Sequence, residues 1–176
     1  YSEFLELLKT LKDAGIKPIA FHNDNLYDIP QALFITETIN YNPDYDQEVN
    51  EGERTYVEGW TEPFKMWKRD FIDQGYVTKD MLGISAEEVV DEFVTEKVAM
   101  IVGGPWNIAG FEEKNPDLDF DLMPFVGTEA GVKWNIGAVG VGFSVGSQSK
   151  HQEESLKYLE FLSSDEGLKL FQEATG

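Results

Sequence analysis

The sequence predicts an α/β domain in which a sheet is flanked by helices and helices outnumber strands. Residues 98–102 form a short apolar run without polar alternation, which is typical of a strand covered on both faces, and residues 16–21 predict an earlier strand. Segments with apolar residues at helical spacing separate these strands, and such alternation favours a layered α/β architecture. With 176 residues, 41% of them hydrophobic, the chain is long enough for one domain with a real core.

The elements around the first strand follow from helix start and stop signals. Ser2 is a suitable N-cap for the first helix, and Gly15 ends it. A polar loop follows the strand at residues 22–28. Asp28 is placed as the cap of a further helix that runs to about residue 40.

The middle of the chain contains one irregular segment and two helices. Residues 41–59 carry turn-forming residues without a regular period, which predicts an exposed excursion. Residues 60–75 carry aromatic residues at helical spacing, more typical of a core stripe than of a ligand site. Ser85 and Glu88 form a capping box for a helix that ends near residue 95.

The last third of the chain predicts further strands and helices. A helix covers 105–114, with Pro105 in its first turn. Residues 118–125 and 137–145 predict two more strands, separated by a loop at 127–134. Two helices follow, and Ser163 with Glu166 predicts the cap of the second.

The most informative segment joins the strand at 98–102 to the following helix. Gly103 and Gly104 have no Cβ atoms, so they allow a tight turn and close approach of a ligand to the backbone. Trp106 then lies where open α/β sheets place their ligands, beside free N–H groups at a helix start. Two interpretations of Trp106 remain open. It is either a core anchor or a platform whose π face attracts the C–H groups of a sugar ring.

Composition excludes several functional classes. The formal net charge of −19 at pH 7 opposes binding to nucleic acid or to an anionic membrane surface. The absence of cysteine excludes disulfides, thiolate metal sites and a thiol nucleophile. His22 and His151 lie far apart, so a metal site or a serine triad has little support and no cofactor is expected. A carboxylate pair among the 33 acidic residues keeps a glycosidase as the enzymatic alternative.

Five motifs follow one another in the order of a known family. They are YSEFLELLKTLKDAGIKPIAF, a tyrosine before a helix, EKVAMIVGGPWNIAGFEEKNPDLDFDLMPF, GAVGVGFSV and SLKYLEFLSSDEGLKLF. Together they resemble the extracellular solute-binding proteins of ABC transporters, and more closely the sugar-binding, maltose-binding-protein-like family. One departure is Glu96, where the family often has glycine, so the turn before the second strand is expected to differ in shape.

The resemblance implies a periplasmic-binding-protein type II-like lobe with a mixed sheet. Residues 1–124 would form the second, C-terminal lobe, and residues 125–176 would form the crossover and the segment that returns to a first lobe outside this sequence. Exposed apolar surface on that segment would favour a dimer or a swap of the isolated chain. With half a cleft, the isolated chain is expected to bind sugar weakly or not at all.

The implied function is that of the substrate-binding component of an ABC importer. It would capture a sugar, specifically an oligosaccharide, in a cleft between two lobes and pass it unchanged to a membrane permease. The implied location is extracytoplasmic, in a periplasm or on a cell surface as a lipoprotein. The protein would therefore not be an enzyme, and its partners would be a sugar and a permease.

The resemblance also implies a set of ligand-binding residues. Trp106 matches the stacking tryptophan of the family's G-P-W motif, and Tyr27 matches an aromatic residue that contacts sugar. Asn25 occupies a position where a maltose-binding relative has a carboxylate, which leaves the preferred sugar open. The lesser candidates are Asn107, Gly104 and Trp134. Because this set is aromatic and amide-rich, it favours sugar over a peptide, a polyamine or a metal ion.

Overall fold

A computed structural model describes residues 1–125, 127–129 and 142–175. The helices and strands are α1 (Ser2–Asp13), β1 (Lys17–Ala20), α2 (Asp28–Phe34), α3 (Tyr45–Asn50), α4 (Tyr56–Trp67), α5 (Ala86–Val94), β2 (Val98–Ile101), α6 (Ile108–Lys114), α7 (Gln152–Leu162) and α8 (Asp165–Thr175). Short 3₁₀ turns occur at Asn23–Asn25, Lys79–Gly83 and Pro105–Asn107, and π-helical turns extend α2 at Ile35–Ile39 and α4 at Lys68–Ile72. Among the helices so described, none is long and apolar enough to cross a membrane.

The sheet in the described ranges consists of β1 and β2, which lie parallel. Their register pairs Ile19 with Met100 and Ala20 with Ile101. Parallel strands need a long connection between them, and here helices α2 to α5 provide it. The prediction of a helix-rich α/β domain is confirmed, and the carboxyl ends of both strands lie at one edge of the sheet.

Both faces of β1 are covered, whereas in β2, for which the sequence predicts the same, Val98 is buried and Ala99 is exposed. Ile19 and Phe21 belong to the main core with residues of α1, α2 and α4, whereas Ala20 belongs to a second cluster with Val89 of α5. The main core consists of Phe4, Leu8, Ile19, Phe21, Ile29, Leu33, Met66, Phe71, Tyr76 and Met81. Successive strand residues point to opposite faces, so the two clusters cover the two faces of β1.

Gly15 and the box of Ser85 and Glu88 are confirmed as helix signals, whereas Ser2 and Asp28 are the first helical residues of α1 and α2 and not their N-caps. Gly15 follows α1 with a φ of 79°, the left-handed conformation that glycine adopts easily. Ser85 Oγ accepts a hydrogen bond from the Glu88 N–H, and the Glu88 carboxylate accepts one from the Ser85 N–H at 2.8 Å. The bonds that the Ser85 N–H and the Ser85 hydroxyl donate to the Glu88 carboxylate lower the pKa of Glu88. The cap of α8 is Ser164 rather than Ser163, since the Gly167 N–H donates to Ser164 Oγ.

The prediction of an irregular excursion at residues 41–59 is wrong in part. The segment contains α3 and the start of α4. Tyr45 on α3 is buried, its ring lies 5.9 Å from that of Phe34, and its hydroxyl donates to the Thr55 carbonyl. A helix of six residues held by a single buried side chain shows no apolar period, so the sequence pattern missed it.

The strand predicted at residues 118–125 is also wrong. These residues are extended, but the only β-type pairing within them is an isolated bridge at Phe125. The ring of Phe120 lies 5.4 Å from Phe111 and 6.2 Å from Phe93, so it covers α5 and α6. The alternation in the sequence therefore reflects packing on helices. Residues 142–145 also form no strand, and 137–141 lie outside the described residues.

The turn before β2 keeps the shape that glycine would give it. Glu96 has a φ of 58°, in the left-handed region. The Glu96 N–H donates to the Phe93 carbonyl and the Lys97 N–H to the Glu92 carbonyl, at 2.9 and 2.8 Å, which is the hydrogen-bond pattern of a Schellman motif. The expectation of a different turn is therefore wrong, because the backbone accepts the left-handed conformation without glycine.

Glu96→Gly is expected to stabilise the chain by up to about 1 kcal/mol. The substitution removes the steric cost of a Cβ in the left-handed region, and the greater freedom of glycine in the unfolded state offsets part of this gain. Chemical denaturation with a fixed m-value measures the change. Thr95→Gly, one residue earlier and in an ordinary backbone conformation, is the control and is expected to destabilise. A loss of stability in Glu96→Gly would contradict the assignment of strain.

Helices α7 and α8 touch where their short connection joins them. A Cβ built on Gly167 would collide with the Phe161 carbonyl oxygen, so the start of α8 lies directly against the end of α7. No residue of α7 is buried. Large apolar side chains remain exposed on both helices, namely those of Leu156, Tyr158, Leu168 and Leu170. Helices α7 and α8 thus have an apolar surface that the described core does not cover.

Candidate functional site

Two loops meet at the carboxyl edge of the sheet. The first leaves β1 and contains residues 22–27, and the second leaves β2 and contains residues 102–107. The Asn25 side chain donates a hydrogen bond to the Val102 carbonyl at 3.3 Å, which joins the loops directly. The parallel register of β1 and β2 brings these loops together, because it places Ala20 beside Ile101 just before both loops begin.

The Trp106 side chain lies on the surface of the second loop. It is 76% exposed. A Cβ built on Gly104 would lie 2.4 Å from ring atoms Cη2 and Cζ3, so the ring rests against the backbone of Gly104. A tryptophan with this exposure does not anchor a core. The ring is instead a flat surface supported from below by glycine, which suits the stacking interpretation.

Asn107 closes the turn on which this ring rests. Its Oδ1 atom accepts a hydrogen bond from the Gly104 N–H at 3.1 Å. A Cβ on Gly103 would lie 2.6 Å from the same oxygen, so a side chain at Gly103 would displace Asn107 and one at Gly104 would displace the Trp106 ring. The oxygen of Asn107 is therefore engaged within the loop, and Gly104 is buried beneath the Trp106 ring.

The first loop places one aromatic residue at the surface and one amide in the interior. Tyr27 is 62% exposed, whereas Asn25 is 6% exposed. The Asn25 Oδ1 atom accepts a hydrogen bond from the His22 N–H at 2.9 Å. Sequence reasoning placed Asn25 among ligand contacts and missed this bond, although the spacing of three residues from His22 is typical of a capping interaction.

His22 and Asp28 flank the first loop. The Nδ1 atom of His22 accepts a hydrogen bond from the Asp24 N–H at 3.2 Å, which fixes the imidazole against the loop. Asp28 starts α2 without making a capping hydrogen bond from its side chain. Partial burial raises the pKa of Asp28, and the nearby His22 opposes that shift. The exposed aromatic surface of the site is thus bordered by the Asp28 carboxyl group and the His22 imidazole.

Two further tryptophans, Trp60 and Trp134, were considered from the sequence, and neither is shown at this site. Trp134 is not among the described residues. The ring of Trp60 stacks on Phe34 at 4.3 Å with an interplanar angle of 5°, so it serves the packing of α4 on α2. In the described ranges, no group of three His, Asp or Glu residues could hold a metal ion.

The fold and the loop pair define an α/β domain with a candidate ligand site at the carboxyl edge of parallel strands. Residues 1–169 match the family of bacterial extracellular solute-binding proteins, and the chain belongs to that family. The resemblance in the sequence is thereby confirmed. The chain comes from a class of extracellular binding proteins rather than enzymes, and the match gives no support to a glycosidase.

Two curated relatives are named as sugar-binding proteins. The multiple sugar-binding protein of Streptococcus mutans is 22% identical over 118 residues, which are 64% of this chain and 28% of the relative. The maltodextrin-binding protein MdxE of Bacillus subtilis is 27% identical over 121 residues, 68% of this chain and 26% of the relative. The matched region is thus little more than a quarter of either relative.

Two solved structures share the fold over nearly the whole chain. A family 1 extracellular solute-binding protein from Bifidobacterium longum subsp. infantis matches 98% of this chain and 46% of its own, with a TM-score of 0.74 and 25% identity. A sugar transporter from Bacillus licheniformis, in complex with stachyose, also shares the fold. The match covers 99% of this chain and 47% of the transporter chain, with a TM-score of 0.70 and 18% identity. The chain therefore spans under half the length of either structure.

Proposed function

We propose that this chain forms one wall of a saccharide-binding cleft in the substrate-binding component of an ABC importer. The Trp106 ring carries the proposal, because it is exposed and supported by Gly104 at the carboxyl edge of the sheet. A ring of this kind holds a pyranose without charge, since its π face attracts C–H groups. Family membership and the names of the two curated relatives support the same class of ligand.

An oligosaccharide suits this wall better than a single sugar. Tyr27 supplies a second exposed aromatic ring in the loop that Asn25 joins to the Trp106 loop. Two aromatic surfaces on neighbouring loops can contact successive sugar rings. The stachyose of the Bacillus licheniformis complex is a ligand of that size, and it is the first probe we would use. Trp134 remains a candidate for a further contact.

The other wall of the cleft belongs, in this proposal, to a first lobe. Residues 1–124 are the second lobe, and residues 125–176 return to the first. The exposed apolar side chains of α7 and α8 support this division, because a lobe packed on them would cover them. In the isolated chain the same surface favours a dimer or a swap.

Transport follows from closure of the two lobes on the sugar. A ligand that contacts both walls binds the closed form better and shifts the population towards it. The closed protein then delivers the sugar unchanged to a membrane permease. We place the protein outside the cytoplasm, in a periplasm or anchored to a cell surface as a lipoprotein, and the family's extracellular name supports the first part of this placement.

The experiment is a titration of the two-lobed protein, in which this chain is joined to a first lobe, with stachyose, maltotriose and glucose. We expect an oligosaccharide to bind and, at a hundred times its dissociation constant, to add about 2.7 kcal/mol of stability. Chromatography of the ligand is expected to show no cleavage. The isolated 176-residue chain is the control and is expected to bind weakly. Hydrolysis, or the absence of binding by every saccharide, would contradict the proposal, and micromolar affinity of the isolated chain would contradict the need for two walls.

A further inference from the structure

Asn25 lies beneath the candidate site rather than on its surface. Its side chain is buried although it stands two residues before the exposed Tyr27. The oxygen of its amide accepts from the His22 N–H, and the nitrogen donates to the Val102 carbonyl. Each end of the amide already has a protein partner, and burial keeps its second N–H and its second lone pair away from a ligand.

The orientation of this amide follows from its partners. The His22 N–H is a donor, so the atom facing it must be the Asn25 oxygen, and the nitrogen must then face the Val102 carbonyl. Asn25 and Val102 are 77 residues apart in sequence. This bond is therefore a direct link between the loop that follows β1 and the loop that follows β2.

The link acts on the turn that supports Trp106. Val102 immediately precedes Gly103 and Gly104, which have no side chains to hold the turn themselves. The Trp106 ring rests on Gly104, and Asn107 holds the Gly104 N–H from the other side. A shift of the Val102 carbonyl therefore moves the backbone on which the ring lies.

We propose that Asn25 is a positioning residue, which ties the Tyr27 loop to the Trp106 loop and holds the Trp106 ring in the orientation that receives the ligand. The inference rests on the proposed function, since it assigns a role at the same site. It replaces the direct sugar contact expected from the sequence. The two exposed aromatic side chains then sit on one connected surface instead of on two independent loops.

The first test observes Trp106 without any sugar. The chain has four tryptophans, and labelling with 5-fluorotryptophan gives each a ¹⁹F resonance, with Trp106→Phe identifying one of them. Asn25→Ala removes both hydrogen bonds. Asn25→Asp keeps the acceptor for the His22 N–H and removes the donor to the Val102 carbonyl. This variant can therefore carry the test if the alanine variant folds poorly. We expect both variants to shift or broaden the Trp106 resonance. An unchanged Trp106 resonance in a folded variant overturns the proposal.

Asn115 provides a matched control. Its side chain donates to the Val94 carbonyl at 2.8 Å and accepts from the Asp117 N–H at 3.2 Å, the same pair of bonds at a different place. Asn115→Ala is expected to lower thermal stability by an amount similar to Asn25→Ala and to leave the Trp106 resonance unchanged. If Asn115→Ala moves that resonance equally, general destabilisation explains the effect and the proposal is wrong.

Sugar affinity separates positioning from direct contact. In the two-lobed protein titrated with stachyose, both Asn25 variants are expected to bind about tenfold more weakly, and Asn25→Ala should add little to the loss caused by Trp106→Ala. Full affinity in Asn25→Asp, which resembles the carboxylate expected at a direct contact, would overturn the inference. If the wild-type protein binds no saccharide, the proposed function fails, and the ¹⁹F result still decides whether Asn25 positions the ring.

Discussion

Trp106→Ala is expected to weaken oligosaccharide binding by the two-lobed protein at least about thirtyfold. An aromatic residue at the centre of a binding site commonly contributes 2 kcal/mol or more, and about 1.4 kcal/mol corresponds to tenfold in affinity. The loss should affect affinity alone, because the ring is mostly exposed and its removal opens no cavity in the core. Calorimetric titration with stachyose measures the affinity, and thermal unfolding without sugar measures the stability.

Tyr41→Ala is the matched control for this prediction. Tyr41 is also an exposed aromatic residue, but it follows the far end of the α2 segment, away from the loops at 22–27 and 102–107. Its removal is expected to leave affinity unchanged. Trp106→Phe keeps an aromatic surface and should retain an intermediate affinity. Equal affinities of the wild-type protein and Trp106→Ala would show that the Trp106 ring does not contact the sugar.

Phe71→Ala is expected to destabilise the chain by about 3–5 kcal/mol, the usual range for deletion of a buried phenylalanine ring. Phe71 is 0% exposed and lies in the main core, where its ring is 6.5 Å from that of Phe4. At about 2–4 °C for each kcal/mol in a chain of this size, the melting temperature should fall by about 10 °C. Differential scanning calorimetry measures this shift.

Phe143→Ala removes the same ring from a surface position and is the control for Phe71→Ala. The Phe143 side chain is 60% exposed. Its replacement is expected to change the free energy of unfolding by no more than about 0.5 kcal/mol. Similar losses in the two variants would mean that the main core is not centred on Phe71.

The sequence predicted best where a local signal and the tertiary packing agree. The apolar run at 98–102 forms strand β2, and the box of Ser85 and Glu88 forms within one helical turn. Both signals depend on neighbours in sequence, and both are confirmed. Trp106 was placed correctly at the carboxyl edge for the same reason, since strand, glycines and helix follow one another directly.

The errors arose where a pattern had two structural explanations. Phe120 alternates with acidic residues, but its ring packs on Phe93 and Phe111 of two helices instead of in a sheet. Tyr45 gave no periodic signal because it is the only buried residue of α3. Glu96 adopts a conformation that its residue type does not favour. Packing between separate segments decides the first two cases, whereas local backbone hydrogen bonds hold the turn at Glu96.

In the candidate site, too, some residues could be identified from local sequence and others could not. The exposed aromatic residues Trp106 and Tyr27 were identifiable from sequence and family resemblance. The role of Asn25 was not, because its partner Val102 is 77 residues away and becomes visible only once β1 and β2 are paired. An asparagine in a polar loop is equally compatible with ligand contact and with loop support until its burial is known.

A crystal structure of the two-lobed protein with bound stachyose would show directly whether the Trp106 ring receives the sugar. We expect a pyranose ring on the open face of Trp106, with carbon atoms within about 4 Å of the indole ring and the Asn25 amide still bonded to Val102. A sugar bound elsewhere, with the Trp106 face open to solvent, would contradict it.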